Sequence, residues 1–167
     1  TRSVLVTGGF GALGMEVATW LADSGARHLV LLGRREPDDA VAEAIEDLKS
    51  RGIGVEAVVC DVTEARALGD VVSTLNRSNK PLGGVLHLAG VLDDGLVSGL
   101  TPERFEKVMA PKILGAANLH AATRDLDLSF FVLFSSVASI SGIRGQANYA
   151  AANAYLDGLA HYRRAQG

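Results

Sequence analysis

The chain has 167 residues, 48% of them hydrophobic, which suits one domain with a large core. Its net charge of -3, from 16 Lys and Arg against 19 Asp and Glu, argues against nucleic acid or an anionic membrane as a partner. The sequence has neither a membrane-spanning apolar run nor a signal-peptide pattern, so a cytoplasmic location is expected. The single cysteine, Cys60, cannot form an internal disulfide and is predicted to be a buried strand residue in a reducing compartment. No metal site is predicted.

Five short apolar runs indicate β-strands. They are Ser3–Thr7, His28–Leu32, Val55–Cys60, Val85–Leu88 and Phe130–Phe134. Each run is continuously apolar, whereas a strand with one exposed face would alternate apolar and polar residues. Both faces of every strand are therefore expected to be covered.

Helical patterns follow each of these strands. They run from about Ala12 to Gly25, through Val41, Ile45 and Leu48 to a stop at Gly52, through Leu68, Val71, Val72 and Leu75, from Thr101-Pro102 toward Arg124, and from about Gln146 to Gln166. Short strands joined by helices must run parallel, with right-handed crossovers. The predicted fold is a Rossmann-type, doubly wound parallel sheet in three α/β/α layers, a single domain over residues 1–167. Because such a sheet normally continues after its last helix, the sequence is expected to be a truncated domain.

A glycine-rich segment, residues 7–14, joins the first strand to the first helix. Gly9, Gly11 and Gly14 match the spacing G-x-G-x-x-G of a dinucleotide-binding turn. Glycines there allow a tight turn, close approach of the backbone to a pyrophosphate, and close packing of helix on strand. The free N–H groups and the positive dipole end of the helix then bind the phosphates. The segment therefore predicts a dinucleotide site.

The residues after the second strand bear on which dinucleotide binds. NAD sites usually carry an acidic residue there for the ribose 2′-hydroxyl, whereas this chain has Arg34 and Arg35. Two guanidinium groups can bind a 2′-phosphate, which favours NADPH. A solvated basic turn is the alternative, since acidic residues follow immediately. Asp61, after the third strand, lies at the edge where adenine would bind, and could equally serve the N-terminus of the next helix.

Polar side chains near the last strand suggest carbonyl chemistry. Ser135 and Ser136 follow that strand, so their hydroxyls emerge at the carboxyl edge where ligands bind in this architecture. Tyr149 opens the last helix, and Asn153 lies one turn further on the same face. A serine and a tyrosine converging beside a nicotinamide could polarise and protonate a carbonyl group.

Several motifs together resemble the short-chain dehydrogenase/reductase superfamily, and more narrowly the ketoreductase domains of modular polyketide synthases, with fatty acid synthase ketoreductases as relatives. They are TGGFGALG, LLGRR, CDV, HLAGVLDDG, APKILGAANLH, LFSSVAS and GQANYAAANAYLD. Classical members of the superfamily carry Lys four residues after the Tyr, and Asn on the preceding long helix. Here Asn153 takes the Lys position, and Lys112 is placed in the start region of the preceding helix. This exchange is typical of synthase ketoreductases.

The resemblance implies a role for each catalytic candidate. Tyr149 would be the general acid. Because a free tyrosine has a pKa of about 10, it needs a nearby cation to lower that pKa. Lys112 would supply this charge and would also hold the nicotinamide ribose. Ser136 would bind the substrate carbonyl, and Asn153 would position Lys112 and a proton-relay water. From the residues alone, Lys112 could instead be a solvated surface lysine, and Ser136 and Asn153 ordinary turn and helix residues. The cofactor-binding residues would be Gly8, Gly9, Phe10, Gly11, Leu13, Gly14, Arg34, Arg35, Asp61, Val62, Ala89 and Gly90.

The tripeptide Leu92-Asp93-Asp94 follows the fourth strand. On residue type alone, two adjacent carboxylates after a strand predict a solvated turn. In the ketoreductase family the tripeptide marks the B type, which gives a D-configured β-hydroxyl. The other type carries Trp eight residues before the Tyr, where this chain has Ser141. The only tryptophan, Trp20, is on the first helix and is predicted to pack against the core.

The resemblance therefore implies NADPH-dependent reduction of a β-ketoacyl thioester to the β-hydroxyacyl thioester. The partners would be an acyl carrier protein, which presents the substrate on phosphopantetheine, and neighbouring synthase domains, including a structural half of the ketoreductase. A free-standing reductase of the same superfamily acting on another carbonyl compound is one alternative. A non-catalytic NADP-binding module is another, although a pure binder has no need for Tyr149.

Overall fold

The computed structural model describes residues 2–166, and the elements within that range follow the predicted order. The strands are β1 Ser3–Thr7, β2 His28–Gly33, β3 Gly54–Val59, β4 Leu82–His87 and β5 Phe130–Leu133. The helices are α1 Ala12–Asp23, α2 Asp39–Ser50, α3 Ala65–Arg77, α4 Pro102–Thr123, α5 Ala138–Ser141 and α6 Ala147–Gln166, with a 3-10 turn at Val97–Gly99. The short α5 and the 3-10 turn are absent from the sequence prediction.

The fourth strand begins three residues earlier than predicted, because two glycines obscured its start. Leu82 is followed by Gly83 and Gly84, and glycine is ordinarily depleted in strands. In the structure the ring of Phe130, on the neighbouring strand, occupies the space that a side chain at Gly84 would need. The glycine is therefore part of the packing of β4 against β5.

All five strands form one parallel sheet in the order β3-β2-β1-β4-β5, which confirms the predicted fold class. The chain winds outward from β1 to β3 and then returns to place β4 on the other side of β1. Thr7, at the end of β1, pairs with His87, at the end of β4. A crevice opens where the winding direction reverses, at the carboxyl ends of these two strands.

Helices cover both faces of the central strands. On one face, Val6 and Leu31 pack against α1 and α2; on the other, Leu5 and Val30 pack against α3 and α4. Helix α6 lies on α4 and β5, where Leu156 joins the apolar contacts. This three-layer arrangement fixes the helix starts at the carboxyl edge of the sheet.

Two predictions about exposure were wrong and one is confirmed. The edge strands β3 and β5 are covered incompletely, with Val59 48% and Val132 40% exposed, because each has a neighbouring strand on one side only. Trp20 is 60% exposed and lies on the outer side of α1 rather than against the core. Cys60 is buried, as predicted, but lies directly after β3 and not within the strand. Within residues 2–166, the helices are all too short or too polar to cross a lipid bilayer.

Candidate active site

The turn between β1 and α1 has the geometry of a phosphate cradle. Gly8 has φ +70°, and a Cβ there would lie 2.9 Å from the Ala89 amide nitrogen. A Cβ on Gly14 would overlap the carbonyl oxygen of Gly8. Helix α1 begins after Gly11 with no side-chain cap, which leaves the N–H groups of its first turn directed at the crevice.

A cleft of about 660 Å³ extends from this turn across the carboxyl ends of the strands. Ten residues expected to bind cofactor line it: Gly8, Phe10, Gly11, Leu13, Gly14, Arg34, Arg35, Val62, Ala89 and Gly90. Nine further residues complete the lining and were not predicted to bind the cofactor: Ala12, Leu32, Gly33, Glu36, Asp38, Cys60, Leu88, Val91 and Pro111. Leu32, Cys60 and Leu88 are apolar residues at strand ends, which sequence patterns assign to the core.

Two of the expected cofactor-binding residues lie outside the lining. Gly9 is packed beneath the turn, where a Cβ would meet the Leu31 side chain at 2.9 Å. Asp61 accepts hydrogen bonds from the backbone N–H of Thr63, at 2.9 Å, and from its hydroxyl, at 2.8 Å. The carboxylate of Asp61 thus supports the turn before α3, and among the described residues it does not bond the first-turn N–H groups of that helix, which begins at Ala65.

The guanidinium groups of Arg34 and Arg35 are exposed at one end of the cleft. Within residues 2–166, neither forms an ion pair or hydrogen bond with another side chain. The nearby Asp38 accepts a hydrogen bond from the backbone N–H of Val41 at 2.9 Å and caps α2. The Asp38 carboxylate therefore serves helix α2. Because Arg34 and Arg35 have no side-chain partner among the described residues, both guanidinium groups are available to a bound anion.

Lys112 lies in the middle of α4, not in its start region, because the helix begins ten residues earlier and continues through Pro111. The side chain is buried, with 4% of the residue exposed, so the solvated-lysine interpretation is wrong. Its Nζ donates a hydrogen bond to the Phe134 carbonyl oxygen at 2.8 Å and lies 5.4 Å from the centroid of the Tyr149 ring. Burial lowers the pKa of Lys112 to about 8.

A second cleft of about 360 Å³ contains both Lys112 and Tyr149. It is lined by Leu13, Leu88, Gly90, Val91, Leu92, Lys112, Phe134, Ser135 and Tyr149. Leu13, Leu88, Gly90 and Val91 also line the larger cleft, so the two are continuous. The arrangement places a tyrosine and a buried ammonium at one end of a dinucleotide-sized crevice.

Ser136 and Asn153 lie beside this cleft rather than in its lining. The Ser136 hydroxyl oxygen accepts a hydrogen bond from the Ala138 amide at 3.2 Å, and Ser135 contributes to the lining instead. Asn153 donates to the Tyr149 carbonyl oxygen at 2.7 Å, an i,i+4 contact within α6. The expected contact between Asn153 and Lys112 is therefore not formed within the described residues. The Asn153 Oδ1 atom is buried without a hydrogen-bond partner.

Leu92-Asp93-Asp94 is only in part the solvated turn that its residue types predicted, since Asp94 is exposed but the Asp93 side chain is mostly covered. Leu92 borders the catalytic cleft, whereas the Asp93 carboxylate forms ion pairs with Arg104 and Lys107 on α4. Hydrogen bonds from these two cations hold the pKa of Asp93 below its usual value. The carboxylate of Asp94 accepts a hydrogen bond from Gln146. The loop is therefore held by its flanking helices.

His87 is a buried polar residue that the sequence analysis did not select. It ends β4 beneath α4, only 1% exposed, with Nδ1 2.7 Å from the Thr7 hydroxyl. Its Nε2 has no hydrogen-bond partner among residues 2–166. Burial lowers the pKa of His87 to about 4, and the nearby Lys112 charge acts in the same direction. The sequence feature that could have identified His87 is a histidine near the end of an apolar strand run. His87 is neutral at physiological pH and joins two strands beneath the site.

Comparison with known proteins identifies related sequences. The profile of the KR domain family matches residues 2–167. The spectinabilin polyketide synthase system protein NorB of Streptomyces orinoci is 50% identical, over 99% of this chain and 8% of that protein. Mycoketide-CoA synthase of Mycobacterium tuberculosis is 48% identical, over 99% of this chain and 4% of that protein. The chain thus spans less than a tenth of the length of these two relatives.

The similarity extends to solved structures. A structure described as A-type ketoreductases from a modular polyketide synthase superposes with a TM-score of 0.94 at 46% identity. The match covers 99% of this chain and 35% of that one. The fold of this chain is therefore one that is found in a solved ketoreductase structure.

Proposed function

We propose that this chain, which belongs to the KR domain family, is the catalytic core of a polyketide synthase ketoreductase that reduces the β-keto group of an acyl thioester. The observation that carries the proposal is the position of Lys112 and Tyr149 in one cleft, continuous with the glycine cradle. Neither a cradle nor a tyrosine would suffice alone. Together, the glycine cradle and Tyr149 provide a dinucleotide-binding site next to a proton donor.

NADPH fits the residues present, and we propose it as the cofactor. The pyrophosphate would be held by the first turn of α1 and the glycine segment, whose backbone packs so closely at Gly8 and Gly14 that neither position has room for a Cβ. Arg34 and Arg35 would bind the 2′-phosphate through charge-assisted hydrogen bonds. Bound there, the cofactor would supply a hydride to the carbonyl carbon.

The catalytic residues would handle the substrate oxygen. Ser136 would donate a hydrogen bond to the carbonyl, and Tyr149 would transfer its phenolic proton to that oxygen as the carbon is reduced. Lys112, with a pKa of about 8, is protonated at neutral pH. Its ammonium favours the negative charge that develops on the tyrosine when the proton leaves. Burial strengthens this interaction, since less water screens it.

The substrate would be presented by an acyl carrier protein on its phosphopantetheine arm. The relatives' greater length supports neighbouring synthase domains as partners, including a structural half of the ketoreductase. A cytoplasmic location stays a prediction. A free-standing reductase on another carbonyl compound and a non-catalytic NADP-binding module are the alternatives. The position of Tyr149 beside the buried Lys112 favours catalysis, since a module that only binds the cofactor has no need for the tyrosine.

The decisive experiment measures NADPH oxidation by the complete ketoreductase with a diketide thioester. We expect Tyr149→Phe to abolish turnover while the Kd for NADPH stays within about twofold of wild type, since only the proton donor is lost. Tyr155→Phe, on the exposed side of the same helix, is the matched control and should keep wild-type activity. Substantial turnover by Tyr149→Phe would show that another group is the acid.

Stereochemistry is a separate part of the proposal. Leu92-Asp93-Asp94 and Ser141 support the B type and a D-configured β-hydroxyl, whereas overall similarity does not decide the matter, since one solved relative is described as A-type. A difference of about 1.4 kcal/mol between the two transition states gives tenfold selectivity, which one loop can supply. Chiral chromatography of the alcohol measures the outcome. A predominantly L product would refute the B type and leave the ketoreductase function standing.

A further inference from the structure

The three side chains of Leu92-Asp93-Asp94 face three different surroundings. Leu92 is 60% exposed and borders the catalytic cleft. Asp93 points at α4, where Arg104 Nε donates to Oδ1 at 2.8 Å and Lys107 Nζ donates to Oδ2 at 2.9 Å. Its side chain is only 18% exposed, so this ion pair is partly shielded from water. Neither aspartate lines the cleft.

The other side of the loop is attached to the start of α6. Gln146 Nε2 donates to Asp94 Oδ2, and the Gly95 amide donates to the Gly145 carbonyl oxygen, both at 2.8 Å. Asn148 Nδ2 donates to the carbonyl oxygen of Asp93 at 2.9 Å. The loop is therefore hydrogen-bonded to both flanking helices.

Asn148 connects this loop directly to the catalytic tyrosine. Its side chain is completely buried, and its Oδ1 accepts a hydrogen bond from the Tyr149 backbone N–H at 2.8 Å. A single amide group thus holds the Asp93 carbonyl and the Tyr149 backbone. On the other side, Arg104 and Lys107 lie on the same helix as Lys112.

We propose that Asp93 and Asn148 are positioning residues that fix Tyr149 relative to Lys112 by bracing α4 against the start of α6. This inference rests on the proposed ketoreductase function. Of the tripeptide, only Leu92 then meets the substrate arm. The two carboxylates act through hydrogen bonds to the helices, because Arg104 and Lys107 already neutralise Asp93. The arrangement differs from electrostatic steering, in which exposed carboxylates would face the incoming substrate.

Asp93→Asn and Arg104→Gln test the brace from its two ends in the complete ketoreductase. We expect each to lower kcat five- to tenfold while KM and the Kd for NADPH change less than twofold. The double variant should lower kcat by less than the product of the two single effects, because Asp93 and Arg104 share one ion pair. Asp93→Glu should restore part of kcat, since it keeps the carboxylate.

Asp23→Asn is the matched control, because Asp23 also forms an ion pair with an arginine, Arg51, away from the cleft. It should leave kcat at the wild-type value. Asn148→Ser removes the amide link and should lower kcat as Asp93→Asn does. Leu92→Ala should instead change KM and the ratio of the two alcohol products.

Hydrogen exchange of the Tyr149 amide provides a measurement that does not depend on turnover. We expect exchange to accelerate at least fivefold in Asp93→Asn and Asn148→Ser but not in Asp23→Asn. Wild-type kcat and exchange in Asp93→Asn would overturn the proposal. So would altered product configuration in Asp93→Asn without an effect of Arg104→Gln, which would indicate steering by charge. A wild-type protein that reduces no β-keto thioester would refute the proposed function alone, since exchange still tests the brace.

Discussion

Lys112→Met should make the protein more stable while abolishing its activity. Burial lowers the pKa of Lys112 from 10.5 to about 8, which at about 1.36 kcal/mol per pKa unit corresponds to roughly 3 kcal/mol of cost for the buried ammonium. Methionine removes that cost and fills a similar volume. It also loses the charge-assisted hydrogen bond to Phe134, worth about 1.5–3 kcal/mol. The expected net stabilisation at pH 7 is therefore up to about 1.5 kcal/mol.

The stability of the wild type should depend on pH in a way that the variant's does not. Because the folded-state pKa of Lys112 lies below the unfolded value, the unfolded chain binds more protons between pH 8 and 10.5. Wild-type stability should therefore rise over that range relative to Lys112→Met. Urea denaturation at pH 7 and pH 10, followed by circular dichroism, measures both differences.

Lys49→Met is the control, because Lys49 lies on the surface of α2, paired with Glu46. Its effect should stay within about 0.5 kcal/mol at both pH values. Destabilisation of Lys112→Met at pH 7, or an equal difference at both pH values, would refute the reasoning. Retained turnover by Lys112→Met would separately remove the lysine from the mechanism.

Three further predictions concern the cofactor site and the sheet beneath it. Arg34→Ala and Arg35→Ala should each lower kcat/KM for NADPH about tenfold or more, since each lost 2′-phosphate contact is worth roughly 1.5–3 kcal/mol. The kcat/KM for NADH should stay unchanged in both variants. Equal use of both cofactors by the wild type would contradict this prediction. Gly14→Ala should destabilise the fold by about 1–3 kcal/mol and weaken NADPH binding, measured by fluorescence titration, because its Cβ meets backbone that cannot move aside. The protein should lose up to about 3 kcal/mol of folding stability between pH 6.5 and pH 4 through His87, because the folded-state pKa of about 4 lies below the unfolded value and the unfolded chain binds the proton first. Urea titrations should show that His87→Asn lacks this acid-dependent loss.

The order of strands and helices followed from local patterns in the sequence. Continuous apolar runs separated by helical periodicity define parallel crossovers, and the glycine spacing after Ser3–Thr7 places a phosphate site at the first turn. The same patterns cannot distinguish a central strand from an edge strand, because both are apolar. That limit explains why β3 and β5 were expected to be covered on both faces. The prediction for Trp20 was wrong for a similar reason: residue type suggested that it packs against the core, but α1 is oriented so that the side chain faces solvent.

The sequence by itself determined the fold class and the glycine cradle, since both depend on residue type and on spacing between neighbouring positions, and the resemblance of its motifs supplied the catalytic candidates. Only the tertiary structure decided which of them share a cleft. The burial of Lys112 depends on how α4 packs on the sheet, and its distance from Tyr149 depends on how α6 packs on α4. Likewise, Asp93 is an ion-pair partner rather than a solvated carboxylate because α4 brings Arg104 and Lys107 to it. Such contacts join residues that are far apart in the chain, and no local pattern encodes them.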